Sequence, residues 1–545
     1  SEKTSITVNS CHVPKIVPYN KLIRFIKGID LGTLYSVRDV LCAQLEAEEK
    51  ADGCYRDLTE HLVRLASFYL STLTDEQIDW FGEPNTFQIA IGGDGAPFGK
   101  HEQSCAWLIS FLNIVHRILS SDDNFLIFGS NCSEERAVVK KYISMISKEI
   151  VQIERTTFSI KGKNTKFRFS ELPNDMKMLA FLAGELPNSA TYCSTFANVS
   201  QSDMTNVNKT FGYNPNSAWR PWDYDDRKVV ALKVKDLKNK MAKRKLAERT
   251  KRTKITKFIA DNKSRQEFEP LIGRLIDKAH VDPLHVKNNA CQLLHQELMY
   301  ESIKKSSLES VSKFENVPIN CPFSNFVCAL QTKCRLSRLA KKIIRWFNET
   351  KAEGKHFDYR FTGQDSRMLL HNFMYLIESL ESPHDSAEQK FKIHVFAFIA
   401  LQLKYAASIF RRIVIDPNQL EELSICCKYY FRANSLFLGR VTHTVWTIGH
   451  VVYPHVVDVN SKYGKGLGIA STEGREAKHI AISRYSKNTS YKLRWAQIFC
   501  HEFISLIWLR ERGYNASSYS KFKDSYTPKR VTLGKSCVCG YPKTE

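Results

Sequence analysis

The chain is short of negative charge, of long apolar runs and of ordered cysteine spacing, and each shortage narrows what it can be. Its 545 residues hold 79 Lys and Arg against 57 Asp and Glu, a net charge of +22. That imbalance argues for a polyanionic partner, nucleic acid before an anionic membrane. No apolar run approaches the ~18 residues that span a bilayer, and no secretory signal opens the chain, so no membrane is expected among its partners. The 15 cysteines are scattered and odd in number, which points to a reducing compartment rather than a disulfide framework. No internal repeat stands out in residues 266–440. The first residue is Ser1 rather than Met, so the chain reads as a fragment with upstream domains missing. What is present is ample core material: 43% of the residues are hydrophobic, enough for two to four domains at ~150 residues each.

The most informative stretch is Phe87 to Gly99, FQIAIGGDGAPFG. Phe87, Ile89 and Ile91 alternate with smaller or polar residues as a strand does. Gly92, Gly93 and Gly95 are expected to end it and to leave the Asp94 carboxylate open to a ligand. A carboxylate at a buried strand end can hold a hard divalent cation. By itself Asp94 reads first as the opening half of an Asp-Gly turn, and the other residues must shift that balance.

Residues 1–86 read as helical, with apolar residues at helical spacing in Val37 to Ala51 and Leu58 to Leu73. They suit a platform for dimerisation or DNA contact, or plain packing. Residues 87–175 read as mixed α/β: a buried strand at Asn124 to Gly129, an amphipathic helix at Glu134 to Ile153, and a hairpin in Thr157 to Ser170 turning near Gly162. Asp175 then follows a strand and precedes the helical MKMLAFLAGEL; taken alone, an N-cap role is the better account of it. Residues 176–226 read as a loop-rich connector.

Residues 227–265 carry sixteen Lys or Arg against three acidic residues, with no Pro or Gly. A long basic helix is expected there, touching DNA phosphates through Lys240, Lys243, Arg244, Lys245, Arg249, Lys251, Arg252 and Lys254. The same charge block is consistent with nuclear import. Residues 266–440 read as mostly helical, and Cys321, Cys328 and Cys334 lack zinc-ribbon spacing. Beyond them lie His443, His450 and His455, the run Gly464-Lys465-Gly466-Leu467-Gly468, read as flexible, and STEGREAKH from Ser471 to His479. Glu473 and Glu476 are three apart and share a helical face. Gly474 disfavours helix before it, so the helix is expected to begin near Gly474-Arg475, with Glu476 in its first turn. The tail, residues 513–545, is basic and holds Cys537 and Cys539.

Asp94, Asp175 and Glu476 occur in that order, with a long helical stretch before the last. The pattern resembles the DDE transposases of RNase H-like fold, and within them the catalytic subunit of the RAG recombinase and its RAG-like and Transib relatives. The likeness covers most of residues 87–510. NDMKM around Asp175 is similar to the family's second-aspartate segment, Asp282-Pro283-Leu284-His285 to its Asp-Ala-Leu-His, and STEGREAKH to its Ser-Glu-Gly-Asn-Glu, whose second glutamate corresponds to Glu476. Lys287 departs from an acidic position nearby.

The resemblance implies an α/β RNase H-like core of residues 87–175 and 465–512, interrupted by a mainly helical insertion at 176–464 and preceded by a helical region at 1–86. It implies Asp94, Asp175 and Glu476 as catalytic Mg²⁺ (or Mn²⁺) ligands, with Asp94 shared between two metals. It also implies a structural zinc at Cys193, His450 and His455, although Phe196 replaces the expected second cysteine. A structural zinc takes four N or S ligands; another cysteine substitutes, or the histidines are simply packed. The activity implied is nicking beside transposon terminal repeats, followed by strand transfer or hairpin formation, by a nuclear homodimer on double-stranded DNA, with room for an accessory subunit. Two other classes stay open: a domesticated DNA-binding protein that keeps the fold without catalysis, and a different RNase H-like nuclease.

Overall fold

The computed structural model describes residues 6–8, 11–13, 17–95, 98, 103–351 and 356–514; the tail with Cys537 and Cys539 lies outside them. The strands are β1 (Ile6–Val8), β2 (Cys11–Val13), β3 (Leu34–Ser36), β4 (Gly53–Arg56), β5 (Thr86–Gly95), β6 (Cys105–Phe111), β7 (Phe125–Ser130), β8 (Phe158–Ile160) and β9 (Lys163–Glu171). β1 and β2 pair with each other, and the other seven form one sheet in the order β3-β4-β7-β6-β5-β9-β8. Every neighbouring pair in it is antiparallel except β5 with β9. The helices near the sheet in sequence are α1 (Tyr19–Lys27), α2 (Val37–Val40), α3 (Leu58–Thr72), α4 (Ala137–Arg155) and α5 (Met176–Ala183).

The protein is therefore mixed helix and sheet, and residues 1–86 are less helical than their periodicity suggests. Only Val37–Val40 of the expected Val37–Ala51 helix winds as α-helix. Residues 53–56 instead pair with β7, more than seventy residues away. Such a long-range partner leaves no local periodic trace, and tertiary pairing overrides the helical pattern.

Alternation along β6 builds two cores. Trp107 and Phe111 face α4 and α3, with Trp107 6.0 Å from Tyr142 and Phe111 5.3 Å from Tyr69 between ring centroids. Ala106 and Leu108 face the other way and pack with Leu126, Ile482, Trp495, Ile498 and Phe499. The latter four come from α16 (Glu473–Tyr485) and α17 (Arg494–Phe503), so these two helices return to the sheet that Asp94 sits on.

Between these lie α6 (Tyr224–Ala242), α7 (Glu248–Asp261), α8 (Pro283–Lys304), α9 (Pro322–Thr332), α10 (Ser337–Thr350), α11 (Gly363–Glu378), α12 (Ala387–Phe410), α13 (Pro417–Ala433), α14 (His443–Thr447) and α15 (Tyr453–Tyr463). The basic stretch is two helices, α6 and α7, rather than one, broken at residues 243–247. Among the described residues one helix, α12, is long and apolar enough to cross a bilayer, but 78% of its apolar window is buried inside the protein, as in a core helix. The glycine run at 464–468 is not loose: the Gly466 and Gly468 amides donate to the Ile413 and Arg412 carbonyls at 2.6 and 2.9 Å.

α16 approaches the connection between β6 and β7 so closely that a Cβ on Gly474 would lie 2.2 Å from the Ile118 carbonyl oxygen and 2.6 Å from Asn124 Nδ2. In an open helix Gly→Ala would add about 1 kcal/mol of stability. Here Gly474→Ala is expected to lower stability by about 1–3 kcal/mol, because the clash lies against backbone. Denaturant unfolding measures this; an unchanged or raised midpoint refutes the close packing.

Candidate active site

Asp94 does not sit in a turn. β5 runs through it to Gly95, and Asp94 pairs with Ala106 of β6. The glycines before it serve the approach of neighbours. A Cβ on Gly92 would lie 2.4 Å from the Pro173 carbonyl oxygen. Through that contact the segment entering Asp175 lies directly on β5. Asn174 completes the join, its Oδ1 accepting from the Gly93 amide at 2.9 Å. Asp175 follows and caps α5, accepting from the Met178 amide at 2.7 Å. Its N-cap role and its nearness to Asp94 thus coexist.

Glu476 arrives from the far end of the chain. Thr472 is the N-cap residue of α16, Glu473 opens the helix and Glu476 lies in its first turn. The two glutamates have different partners: Glu473 Oε2 accepts from Arg411 at 2.9 Å, whereas Glu476 Oε1 is 3.4 Å from His285 Nε2. The residue between them sets the helix in place. Arg475 is 5% exposed, and its guanidinium donates to the carbonyls of Leu108, Ala90 and Gly92 at 2.9, 3.1 and 3.2 Å and to Ser110 Oγ at 3.4 Å. One turn on, Lys478 pairs with the buried Glu502 at 2.6 Å. Glu502 in turn accepts from the Leu126 amide at 3.0 Å, beside the irregularity in the β6–β7 register.

His285 is the residue of this site that sequence reasoning left unassigned. Asp282, buried at the start of α8, accepts from the Thr472 amide at 2.9 Å, Thr472 Oγ1 at 2.8 Å and the His285 amide at 2.8 Å. The same carboxylate lies 2.5 Å from His285 Nδ1. Burial works against charge on His285, but Asp282 and Glu476 outweigh it and hold the imidazole well above its ordinary range. Burial likewise raises the Glu476 carboxyl, and His285 more than reverses this, leaving it below the usual value. The signal lay in the Asp-Pro-Leu-His order, which puts a capping Asp and a first-turn His on one helix end.

Burial, then the charges of Asp175 and Glu476, push the Asp94 carboxyl up to about 8. Asp175 and Glu476, far from it in sequence, are thus both near enough to act on Asp94. Among the described residues no three His, Cys, Asp or Glu side chains are drawn close enough together to hold a metal ion as they stand.

Cys193, His450 and His455 lie elsewhere. The ring of His450 sits among Phe431, Trp219 and Trp446 at 4.4, 4.9 and 5.5 Å, and its buried Nε2 has no hydrogen-bond partner. His455 accepts from the Val281 amide at 3.0 Å and meets Phe196 edge-on at 5.0 Å. Cys193 is buried under the Val199 carbonyl. The surroundings of His450 are hydrocarbon, and Phe196 presents the same to His455.

The basic helices divide by role. Lys240, Lys243, Arg244, Lys245, Arg249 and Lys254 are exposed. Lys251 pairs with Glu248 at 2.7 Å and Arg252 with Glu267 at 3.2 Å. Arg227 and Arg265, the outermost charges of the stretch, are buried and grip Glu185 just beyond α5.

The raised Asp94 carboxyl has a consequence for stability. The folded chain keeps a proton there up to about 8, whereas an unfolded Asp releases it near ~3.9. Stability from this group is therefore full at low pH and is lost as pH rises from ~4 through ~8. In chelator, wild type is expected to lose on the order of 2 kcal/mol relative to Asp94→Asn between about pH 5 and about pH 8. Parallel denaturation curves for the two proteins at both pH values would contradict this.

Compared with known proteins, the chain matches no family model and no curated protein.

Proposed function

We propose that this chain is a DNA recombinase or transposase that cleaves and transfers DNA strands through Asp94, Asp175 and Glu476, on an RNase H-like core. The observation that carries the reading is that Asp175 and Glu476, after burial, both raise the Asp94 carboxyl, so the three carboxylates neighbour one region of the sheet. They come from a strand interior, a helix cap and a helix first turn, separated by most of the chain. The sheet supports the reading: β5, β6 and β7 run as an antiparallel meander, α4 crosses over, and β9 returns parallel to β5 with Asp175 at its exit.

The donor set suits a hard divalent cation in kind, because it consists of carboxylate oxygens. Asp94, Asp175 and Glu476 would hold the cation, which supplies positive charge to the attacking and leaving oxygens of a phosphodiester. The chain's own residues prepare the site. Arg475 registers Glu476 against β5, Asn174 registers Asp175 against Gly93, and the Asp282–His285 pair fixes the Glu476 carboxylate. Exposed cations on α6, α7 and the break between them suit the phosphate backbone. Zinc is not needed to account for Cys193, His450 and His455, which packing already holds. The want of a gathered ligand set favours a second reading, a DNA-binding protein without catalysis.

A nicking assay on a terminal-repeat duplex with Mg²⁺ separates the two. Glu476→Gln is expected to lose more than about a hundredfold in rate while DNA binding survives, since it acts as one unit with the aspartates. Glu473→Gln, whose carboxylate faces Arg411, is expected to keep substantial activity. No nicking by the wild type under any divalent cation supports the non-catalytic reading, and a dead Glu473→Gln with an active Glu476→Gln reverses the assignment.

Neutralising Lys243, Lys245, Arg249 and Lys254 together is expected to weaken binding about equally on specific and unrelated DNA. The salt slope should fall by about 0.9 for each phosphate that these side chains no longer neutralise. Weakening confined to the specific sequence would show that these residues read bases instead.

A further inference from the structure

α12 and α13 follow one another in the chain and pack antiparallel. Phe391, near the start of α12, meets Phe437 just past the end of α13 at 5.6 Å between ring centroids, and Phe398 meets Tyr429 at 6.2 Å. The outer face of this pair is apolar and, among the described residues, uncovered. Phe391, Ile425, Tyr429, Leu436 and Phe437 are 55%, 46%, 47%, 60% and 56% exposed. Single exposed apolar side chains are ordinary. Apolar side chains running together along one helix pair form a continuous patch, and such patches mark interaction surfaces.

The charges around the patch say what covers it. On α13, Glu421 and Glu422 precede Ile425, and Lys428 and Arg432 follow it. Among the described residues none of these four has an ion-pair partner. The chain as a whole carries +22, yet this face holds two charges of each sign, sorted to opposite sides of Ile425. A polyanion is attracted to one half of such a face and repelled by the other. A second copy of the same face, turned end for end, matches both halves.

We propose that two copies of this chain pair through the α12–α13 face, antiparallel and two-fold symmetric about Ile425. The inference does not rest on the carboxylate reading. The turn sets residues equally far before and after Ile425 at one height on opposing helices. Glu421 and Glu422 then stand beside Lys428 of the second copy, and the symmetry makes each contact twice. The same operation brings Leu436 level with Val414, which is 56% exposed just ahead of α13. α12 has 24 residues, a length of ~36 Å, and two helices side by side are ~20 Å wide. The face thus offers on the order of 700 Å² per copy, near the ~800 Å² per partner of a standard interface.

The test is the oligomeric state of the full chain, freed of nucleic acid, by sedimentation equilibrium. E421K/E422K and K428E are made as separate chains, with I425D as a third, and melting checks that each is folded. Wild type is expected to dimerise. Each charge variant alone should associate about tenfold more weakly or worse, because like charges then meet twice across the axis. An equimolar mixture of the two charge variants should regain association, since every like-charged contact becomes an opposite one. I425D places a carboxylate against its own copy and should abolish pairing. A wild type that stays monomeric up to ~100 µM overturns the proposal, since its association is then weaker than about −5 kcal/mol. A dimer unchanged in folded E421K/E422K and I425D also overturns it, because that dimer uses another surface. So does a mixture that fails to regain association, which leaves the face to a different protein.

Discussion

The candidate site depends on one buried cation that belongs to the protein itself. Arg475 lies between α16 and the sheet, with its guanidinium spread over carbonyls of β5 and β6. Burial lowers it to about 9, still high enough to stay charged at neutral pH. A guanidinium out of water needs its donors satisfied, and these carbonyls satisfy them only if α16 sits at one height along β5. That requirement ties the residue after Arg475 to the residue two beyond Gly92. Glu476 and Asp94 are thereby set opposite each other across nearly four hundred residues of chain.

Other contacts repeat the same logic. Gly474 allows backbone to lie where a side chain would stand, so α16 can come down onto Ile118 and Asn124. Gly92 does the same for Pro173, so Asp175 enters against β5. Asp282 binds Thr472 and His285 together, joining the start of α8 to the start of α16. The carboxylates are held from behind by backbone contacts and buried polar groups, while their charges act on each other in front. Such preorganisation is how a site keeps like charges close without the fold relaxing them apart.

The basic helices connect to the same frame. Arg227 and Arg265 hold Glu185, two residues past the end of α5, and α5 begins at the Asp175 cap. The surface most suited to a polyanion is thus anchored to the helix that carries a site carboxylate. Part of the positive charge of this segment is used inside the protein, and other cations face outward on α6, α7 and the break between them.

Much of this was legible from local pattern. The strand at Phe87–Ile91, the helix at Glu134–Ile153, the hairpin before Asp175 and the first-turn place of Glu476 follow from periods of two and 3.6 and from capping chemistry, which act over a few residues. The basic character of residues 227–265 is likewise plain in composition. Tertiary contact decided the rest. Whether Gly92-Gly93 ends a strand or admits a neighbour depends on Pro173 and Trp107, eighty and fourteen residues away. Residues 53–56 became strand because β7 offered unpaired edge groups. The burial of Arg475 has no local sequence signal and is set only when the sheet lies beneath it. Glu473 and Glu476 are equivalent by helical spacing and separate only because Arg411 stands by one and His285 by the other. Sequence carries the propensities of single elements, but which side chain meets which is set by long-range packing, and a site made of charges is defined by those meetings.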